Sequence, residues 1–322
     1  MPTNQDHTTE PVLWVRTVDP ATHFRDEHRP ERITARSAAA PSGSASRRRA
    51  TPRPGRPVLS RRALTRGAKR REGLFGTKGS LPLALGLEAA GVVTAVGEGV
   101  NGFEIGDDVL GAPARGLGAF AEHTVLKASA AVHRPPEVAC EQAATLPVAG
   151  TTAWDLAASA APGETVLVLG AGGGVGRMAV QVAVAAGARV LGVASGAKQE
   201  LVESAGAEHV LSGDGAGDAV RDLAPDGVDL LIDLVGGQPL RDLAPLTRDR
   251  ARILSAADQA TAEELGGGGR PSSEDALAQI TRLVADGAVD PHVTARYPLV
   301  AAAEAMAAVE TGHSAGKIVL IP

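Results

Sequence analysis

Between Gly170 and Gly176 the chain reads G-A-G-G-G-V-G, with glycines at 170, 173 and 176 and further ones at 172 and 174. Glycines at this density let a backbone come close to a ligand, and the sequence on both sides says what kind. Thr165 to Leu169 is a continuous aliphatic and β-branched run, as a parallel strand covered on both faces should be. After the turn, an alanine-rich segment with apolar residues at helical spacing continues to Gly187. A helix that opens directly after a glycine turn aims its free N–H groups at whatever lies there, which suits a diphosphate. The spacing is G-x-x-G-x-x-G, close to the dinucleotide fingerprint G-x-G-x-x-G without matching it letter for letter. Gly170, Gly173, Gly174, Val175 and Gly176 are therefore the candidate diphosphate contacts.

The elements that must position this turn follow in the chain. Strands are expected at Ala188–Val193, His209–Leu211, Val228–Val235 and Ala251–Ser255, and helices at Ala197–Ala205, Asp218–Leu223 and Pro239–Leu246. Strand and helix alternating with short connections predict a doubly wound parallel sheet. The second strand ends Gly192-Val193-Ala194-Ser195-Gly196-Ala197-Lys198. A carboxylate here would accept hydrogen bonds from the adenosine ribose and would repel an added phosphate. A hydroxyl and an ammonium at Ser195 and Lys198 accept that phosphate, so NADP(H) is expected over NAD(H). Capping of the next helix by Ser195, with Lys198 as a solvated first-turn residue, is the competing reading.

The chain has 322 residues with 44% hydrophobic content, enough for two cores, and at 2% aromatic those cores must be Val, Leu and Ala. A single cysteine, Cys140, excludes a disulfide framework and a multi-thiolate zinc site and suits a reducing, cytoplasmic setting. No run approaches 18 uninterrupted apolar residues, and residues 1–30 hold no apolar signal-peptide core, so a soluble intracellular protein is expected. The eight histidines are scattered, with no pair at ligand spacing.

The net charge of −5 is unevenly spread: residues 1–72 hold 16 Lys and Arg against 7 Asp and Glu, residues 73–322 hold 16 against 30. From Glu31 to Arg71 the chain is Arg, Ala, Pro and Ser without apolar period, a composition expected to be disordered. A nucleic-acid-binding arm is disfavoured, because no aromatic side chain interleaves the arginines. Out-of-frame translation of a GC-rich gene yields this mixture and ranks higher.

Downstream, Leu81–Gly111 has short β-rich runs broken at Asn101-Gly102 and Gly106-Asp107 and reads as a small antiparallel barrel. Ala119–Pro136 reads as a further strand pair, and Cys140–Ala160 as helix, Pro-Val-Ala-Gly break and helix. Near the end, a helix over Glu274–Asp286 precedes the β-rich segment His292–Val300, a helix over Ala301–Glu310 and a strand over Lys317–Ile321.

With GLEAAGVVTAVGEGVNGFEIGDDV, AATLPVAGTTAW, GETVLVLGAGGGVGRMAVQVA, GARVLGVAS and TGHSAGKIVLIP in this order, residues 73–322 resemble the medium-chain dehydrogenase/reductase superfamily, and most of all its zinc-independent quinone oxidoreductases related to zeta-crystallin. The resemblance implies an α/β protein with a GroES-like β-barrel catalytic domain (73–155 and 287–322) and a Rossmann NADP-binding domain (156–286), with residues 1–72 as an atypical basic segment. It implies Thr152 near the nicotinamide, Val235, Gly236 and Ser255-Ala256 along the cofactor cleft, and Lys317 as a phosphate contact. Where zinc-dependent relatives carry G-H-E, this chain has Gly86-Leu87-Glu88, so no metal is expected.

The implied activity is direct hydride transfer from NADPH to a small quinone or α,β-unsaturated carbonyl, with alcohol dehydrogenase or enoyl reductase as relatives' alternatives. Polar residues of a motif resembling V-N-P-x-D have no counterpart before Arg70–Gly73, so no catalytic residue is assigned. An NADP-binding protein of impaired catalysis, serving as redox sensor or nucleic-acid binder, is the non-enzyme alternative. A homodimer paired through the Rossmann sheet edge is the assembly the resemblance suggests.

Overall fold

A computed structural model of the chain describes residues 11–17, 85–115, 117–310 and 316–322. The arginine-rich stretch 31–71, with its expected disorder, lies outside the described residues.

Four antiparallel strands close a barrel: β1 (Val12–Arg16), β2 (Ala89–Val96), β3 (Asp108–Pro113) and β4 (His123–His133). β1 pairs with both β2 and β4, so it is the stave that closes the ring. The sequence reading assigns no strand before residue 73, and β1 corrects it: Leu13 and Val15 alternate inward and are fully buried. β4 is a second correction, one strand of 11 residues in place of a strand pair. Its sequence HTVLKASAAVH holds no Gly, Pro, Asn or Asp to reverse the chain.

The segment between barrel and sheet is mainly helical from Cys140 to Ala157. α1 (Cys140–Ala143) leads through a π turn at Leu146–Gly150 into α2 (Thr151–Ala157). The expected Pro-Val-Ala-Gly break is this π turn. Pro147 sits in its first turn, where a missing N–H costs no hydrogen bond, so the helical path widens without ending.

The sheet then follows in sequence: β5 (Thr165–Leu169), α3 (Gly174–Ala185), β6 (Arg189–Ala194), α4 (Gln199–Glu203), β7 (Glu208–Leu211), α5 (Ala216–Leu223), β8 (Leu230–Asp233), α6 (Gly237–Leu243), β9 (Ile253–Ser255), α7 (Gln259–Glu264) and β10 (Gly268–Gly269). All pairings are parallel and the spatial order is β10-β9-β8-β5-β6-β7, a doubly wound sheet that reverses direction on either side of β5. The central strands are apolar and buried from Val166 to Leu169 and from Leu230 to Ile232, as strands covered on both faces must be, and β8 ends on the buried Asp233. α7 and β10 fall where no element is expected from sequence.

After α8 (Ala276–Ala285) the chain forms β11 (Val293–Pro298), α9 (Ala302–Glu310) and β12 (Lys317–Ile321), with β11 and β12 paired in parallel. Ile318 and Leu320 pack with Leu13, Val15 and Leu126 in the barrel core, together with Met306 and Val309 of α9. Val319, between them, packs into the other core with Val166, Val168 and Met178.

Candidate functional site

The glycine turn after β5 has the shape that close approach demands. Gly170 sits at φ +88°, a region that side chains with a Cβ disfavour. A Cβ at Gly176 would lie 2.2 Å from the Gly170 carbonyl oxygen, so only glycine lets the first turn of α3 fold back onto the strand end. Gly173 occupies the N-cap of α3 and offers no side-chain acceptor, which leaves the first-turn N–H groups of a 12-residue helix for a ligand.

A cleft of about 750 Å³ opens at the C-terminal ends of the parallel strands. Gly170, Gly172 and Gly173 form one side, Ser195 and Lys198 another, and Val235 a third. The structure thus brings together the glycine turn and the end of the second strand. Ser195 is exposed and precedes the short helical turn Gly196–Lys198 without a side-chain cap hydrogen bond, so its hydroxyl is not committed to capping. The Lys198 side chain lies over Gly172, where a Cβ would come within 2.5 Å of its Cδ. Farther out, the cleft is lined by Ser212, Asp214, Asp218, Arg221 and Asp242. Arg221 and Asp218 form an ion pair at 2.5 Å. These residues escape sequence reasoning because helical spacing places α5 but not the face it turns to the cleft.

Other expected contacts sit elsewhere. Ser255 is 1% exposed, and its hydroxyl donates to Asp233 Oδ2 at 2.5 Å while accepting from the Ala257 and Asp258 N–H groups. Asp233, fully buried, also accepts from the N–H groups of Val235 and Gly236 through Oδ1. Ser255 and Gly236 therefore shape the loops behind the cleft rather than line it. Gly236 is at φ +80° with Asp258 Cβ 2.6 Å from where its own Cβ would stand. Asp258 in turn accepts from Gly237 N–H and from Thr261, and these bonds, led by Gly237, hold its carboxyl below the usual carboxylate range.

Thr152 is fully buried, and its hydroxyl donates to Val148 O at 2.6 Å and accepts from Arg270 Nη1 at 2.7 Å. Lys317 is 1% exposed; its Cδ is 2.6 Å from where a Gly174 Cβ would be, and its Nζ is 4.0 Å from Oε1 of the fully buried Glu88. Oε2 of Glu88 accepts from Val148 N at 2.7 Å. A barrel carboxylate, the π turn, the last strand and the diphosphate turn therefore meet at one seam. Neither Glu88 nor Arg270 is singled out as a site residue from sequence. An arginine after a glycine run reads as loop, and a glutamate next to an aliphatic strand carries no spacing signal.

Among the described residues, no three His, Cys, Asp or Glu side chains converge as a metal ion would require. No helix among the described residues is long and apolar enough to cross a membrane.

Two family models match the chain: an alcohol dehydrogenase GroES-like domain over residues 65–136 and a zinc-binding dehydrogenase over residues 205–320. An NADPH-dependent alkenal/one oxidoreductase of Arabidopsis thaliana chloroplasts is 32% identical over 274 residues, covering 79% of this chain and 68% of that protein. A chloroplast envelope quinone oxidoreductase homologue from the same plant is 30% identical over 261 residues, covering 73% and 78%. Among solved structures, the Escherichia coli quinone oxidoreductase complexed with NADPH superposes with a TM-score of 0.73 at 26% identity, covering 84% of this chain and 90% of that one.

Proposed function

The chain belongs to the medium-chain dehydrogenase/reductase superfamily, and from that premise we propose that it is a metal-free oxidoreductase that uses NADPH to reduce a small quinone or α,β-unsaturated carbonyl. The observation that carries the reading is that the glycine turn meets Ser195 and Lys198 in one cleft, with no carboxylate at the end of β6. The residues present fit the cofactor. The first turn of α3 takes the diphosphate, and Ser195 and Lys198 take the ribose phosphate through a hydroxyl and an ammonium.

When bound, the dinucleotide supplies a hydride from its dihydronicotinamide carbon to an electrophilic carbon of the acceptor, whose oxygen then takes a proton. The chain's own work is placement. Asp233 and Ser255 fix the loops after β8 and β9, so the strand ends keep their shape when the cleft fills. Leu87 stands where an imidazole ligand would be needed, so substrate polarisation falls to hydrogen bonds rather than to a metal.

The test is loss of dihydronicotinamide absorbance with a panel of para-quinones and enones, with NADPH or NADH as donor, and with or without a chelator. Turnover favouring NADPH by about tenfold or more, and insensitive to chelator, is expected. Preference for NADH, or loss of activity on chelation, overturns the reading. The plant relative's acceptor class, alkenals and alkenones, makes enones the first compounds to try.

A further inference from the structure

Arg270 follows β10 directly and stands at the same C-terminal edge of the parallel sheet as Gly170, Ser195 and Val235. Its guanidinium is used as a fork. Nε donates to Asp155 Oδ2 at 2.7 Å, Nη1 to Thr152 Oγ1 at 2.7 Å and Nη2 to Thr151 Oγ1 at 3.1 Å. Nη2 also lies 2.5 Å from Asp155 Oδ2. The Asp155 side chain is 1% exposed, and its other oxygen accepts from Ser273 N at 3.1 Å. One arginine thus spans from the last strand of the sheet to three successive contacts on α2.

Both threonine hydroxyls have already given their protons away, Thr152 to Val148 O and Thr151 to Pro147 O at 2.9 Å. Each oxygen therefore faces Arg270 as an acceptor, and each side chain is held from two directions. The π turn that precedes them is gripped in turn by Glu88 of the barrel through Val148 N. A wall fixed at this many points is rigid in a way that a helix resting on apolar contacts alone is not.

We propose that Arg270 is a positioning residue for hydride transfer: it locks Thr151 and Thr152 of α2, and Thr152 is the residue expected beside the nicotinamide. The proposal rests on the NADPH reading above. It assigns Arg270 no contact with the reacting atoms. Its effect is on the alignment of donor and acceptor carbons, where a displacement of about 1 Å costs about 100-fold in rate.

Arg270→Lys is the informative variant. An ammonium keeps a charge opposite Asp155 but cannot reach both threonines in the plane of a fork. The measurements are melting temperature, affinity for adenosine 2′,5′-bisphosphate, affinity and fluorescence of bound NADPH, and kcat and KM with a quinone.

The expected result is a melting temperature close to wild type, adenosine 2′,5′-bisphosphate affinity within about twofold, altered fluorescence of bound NADPH and kcat lowered about 10- to 100-fold with KM for NADPH little changed. Should Arg270→Lys fail to fold, Thr152→Val and Thr152→Ser replace it. Valine removes the acceptor and should lower kcat about tenfold, and serine, which keeps the hydroxyl, should restore it. Wild-type kcat in Arg270→Lys overturns the proposal, as does a parallel fall of melting temperature, both affinities and kcat, the signature of a purely structural role. A wild-type chain that binds no NADPH sinks the functional reading itself. A wild type that turns over beside indifferent variants sinks only the role of Arg270.

Discussion

The parallel sheet and the barrel are built on opposite plans. In the sheet, each strand is followed by its own helix and returns beside a near neighbour, so β5 to β10 occupy one continuous stretch, Thr165 to Gly269. In the barrel, the closing stave β1 lies at Val12–Arg16 while its partners begin at Ala89 and His123. The first plan gathers recognition groups at strand ends, where loops can vary while strands hold. The second contributes a wall and, through Glu88, a fastening point for the π turn. What differs is locality: cofactor recognition is written in short local motifs, and the wall is assembled from distant segments.

If that contrast is right, the two halves should fail differently. The largest effect is expected from Leu13→Ala. Leu13 is fully buried in the barrel core, and its truncation should cost about 2–5 kcal/mol in chemical or thermal unfolding. The folded fraction should still bind adenosine 2′,5′-bisphosphate with wild-type affinity. An affinity that fell with stability would break the contrast.

Gly176→Ala comes next. Its Cβ would press on the backbone oxygen of Gly170, which has no side-chain freedom to yield, so about 1–3 kcal/mol of stability and most of the NADPH affinity should go together. Unchanged NADPH titration curves would mean the turn does not hold the diphosphate.

Lys198→Ala should leave stability nearly untouched. It should weaken NADPH about 10- to 100-fold and NADH less than about twofold. Equal losses would assign Lys198 to the turn rather than to the ribose phosphate.

The smallest effect concerns the pair Arg189 and Glu208, which joins β6 to the edge strand β7 through bonds of 2.7 and 3.0 Å. Hydrogen bonding from Arg189 holds the Glu208 carboxyl below its ordinary value. A carboxylate lowered on folding contributes stability above its unfolded pKa and loses that contribution as pH falls through the folded one. Both side chains are nearly half exposed, so screening limits the contribution to about 0.5 kcal/mol. Melts between about pH 3 and pH 7 should show Glu208→Gln less stable than wild type at the upper end and level with it at the lower.

Local motifs also explain what could be read from the chain without coordinates. β5, the glycine turn and the end of β6 are legible because strand, turn and helix follow one another within one βα unit, each with its own periodicity. β10 is two glycines with no apolar run, and β1 is five residues without a continuing pattern, so neither announces itself. Ser255 is legible as a strand-end residue, but only the fold reveals that Asp233 claims its hydroxyl. Thr152 is legible as part of GTTAW, yet its partner lies 118 positions away at Arg270. Pairings across such distances leave no trace in spacing, and the seam between the halves is made of them.

The closing strand β12 carries a thermodynamic consequence. Ile318 and Leu320 belong to one core and Val319 to the other, so a single strand serves as a rivet through two hydrophobic bodies. Neither body can shed β12 alone: loosening it empties both interiors at once. The barrel and the parallel sheet are thereby joined into one cooperative unit that should melt in a single calorimetric transition, whatever the difference in their local stabilities.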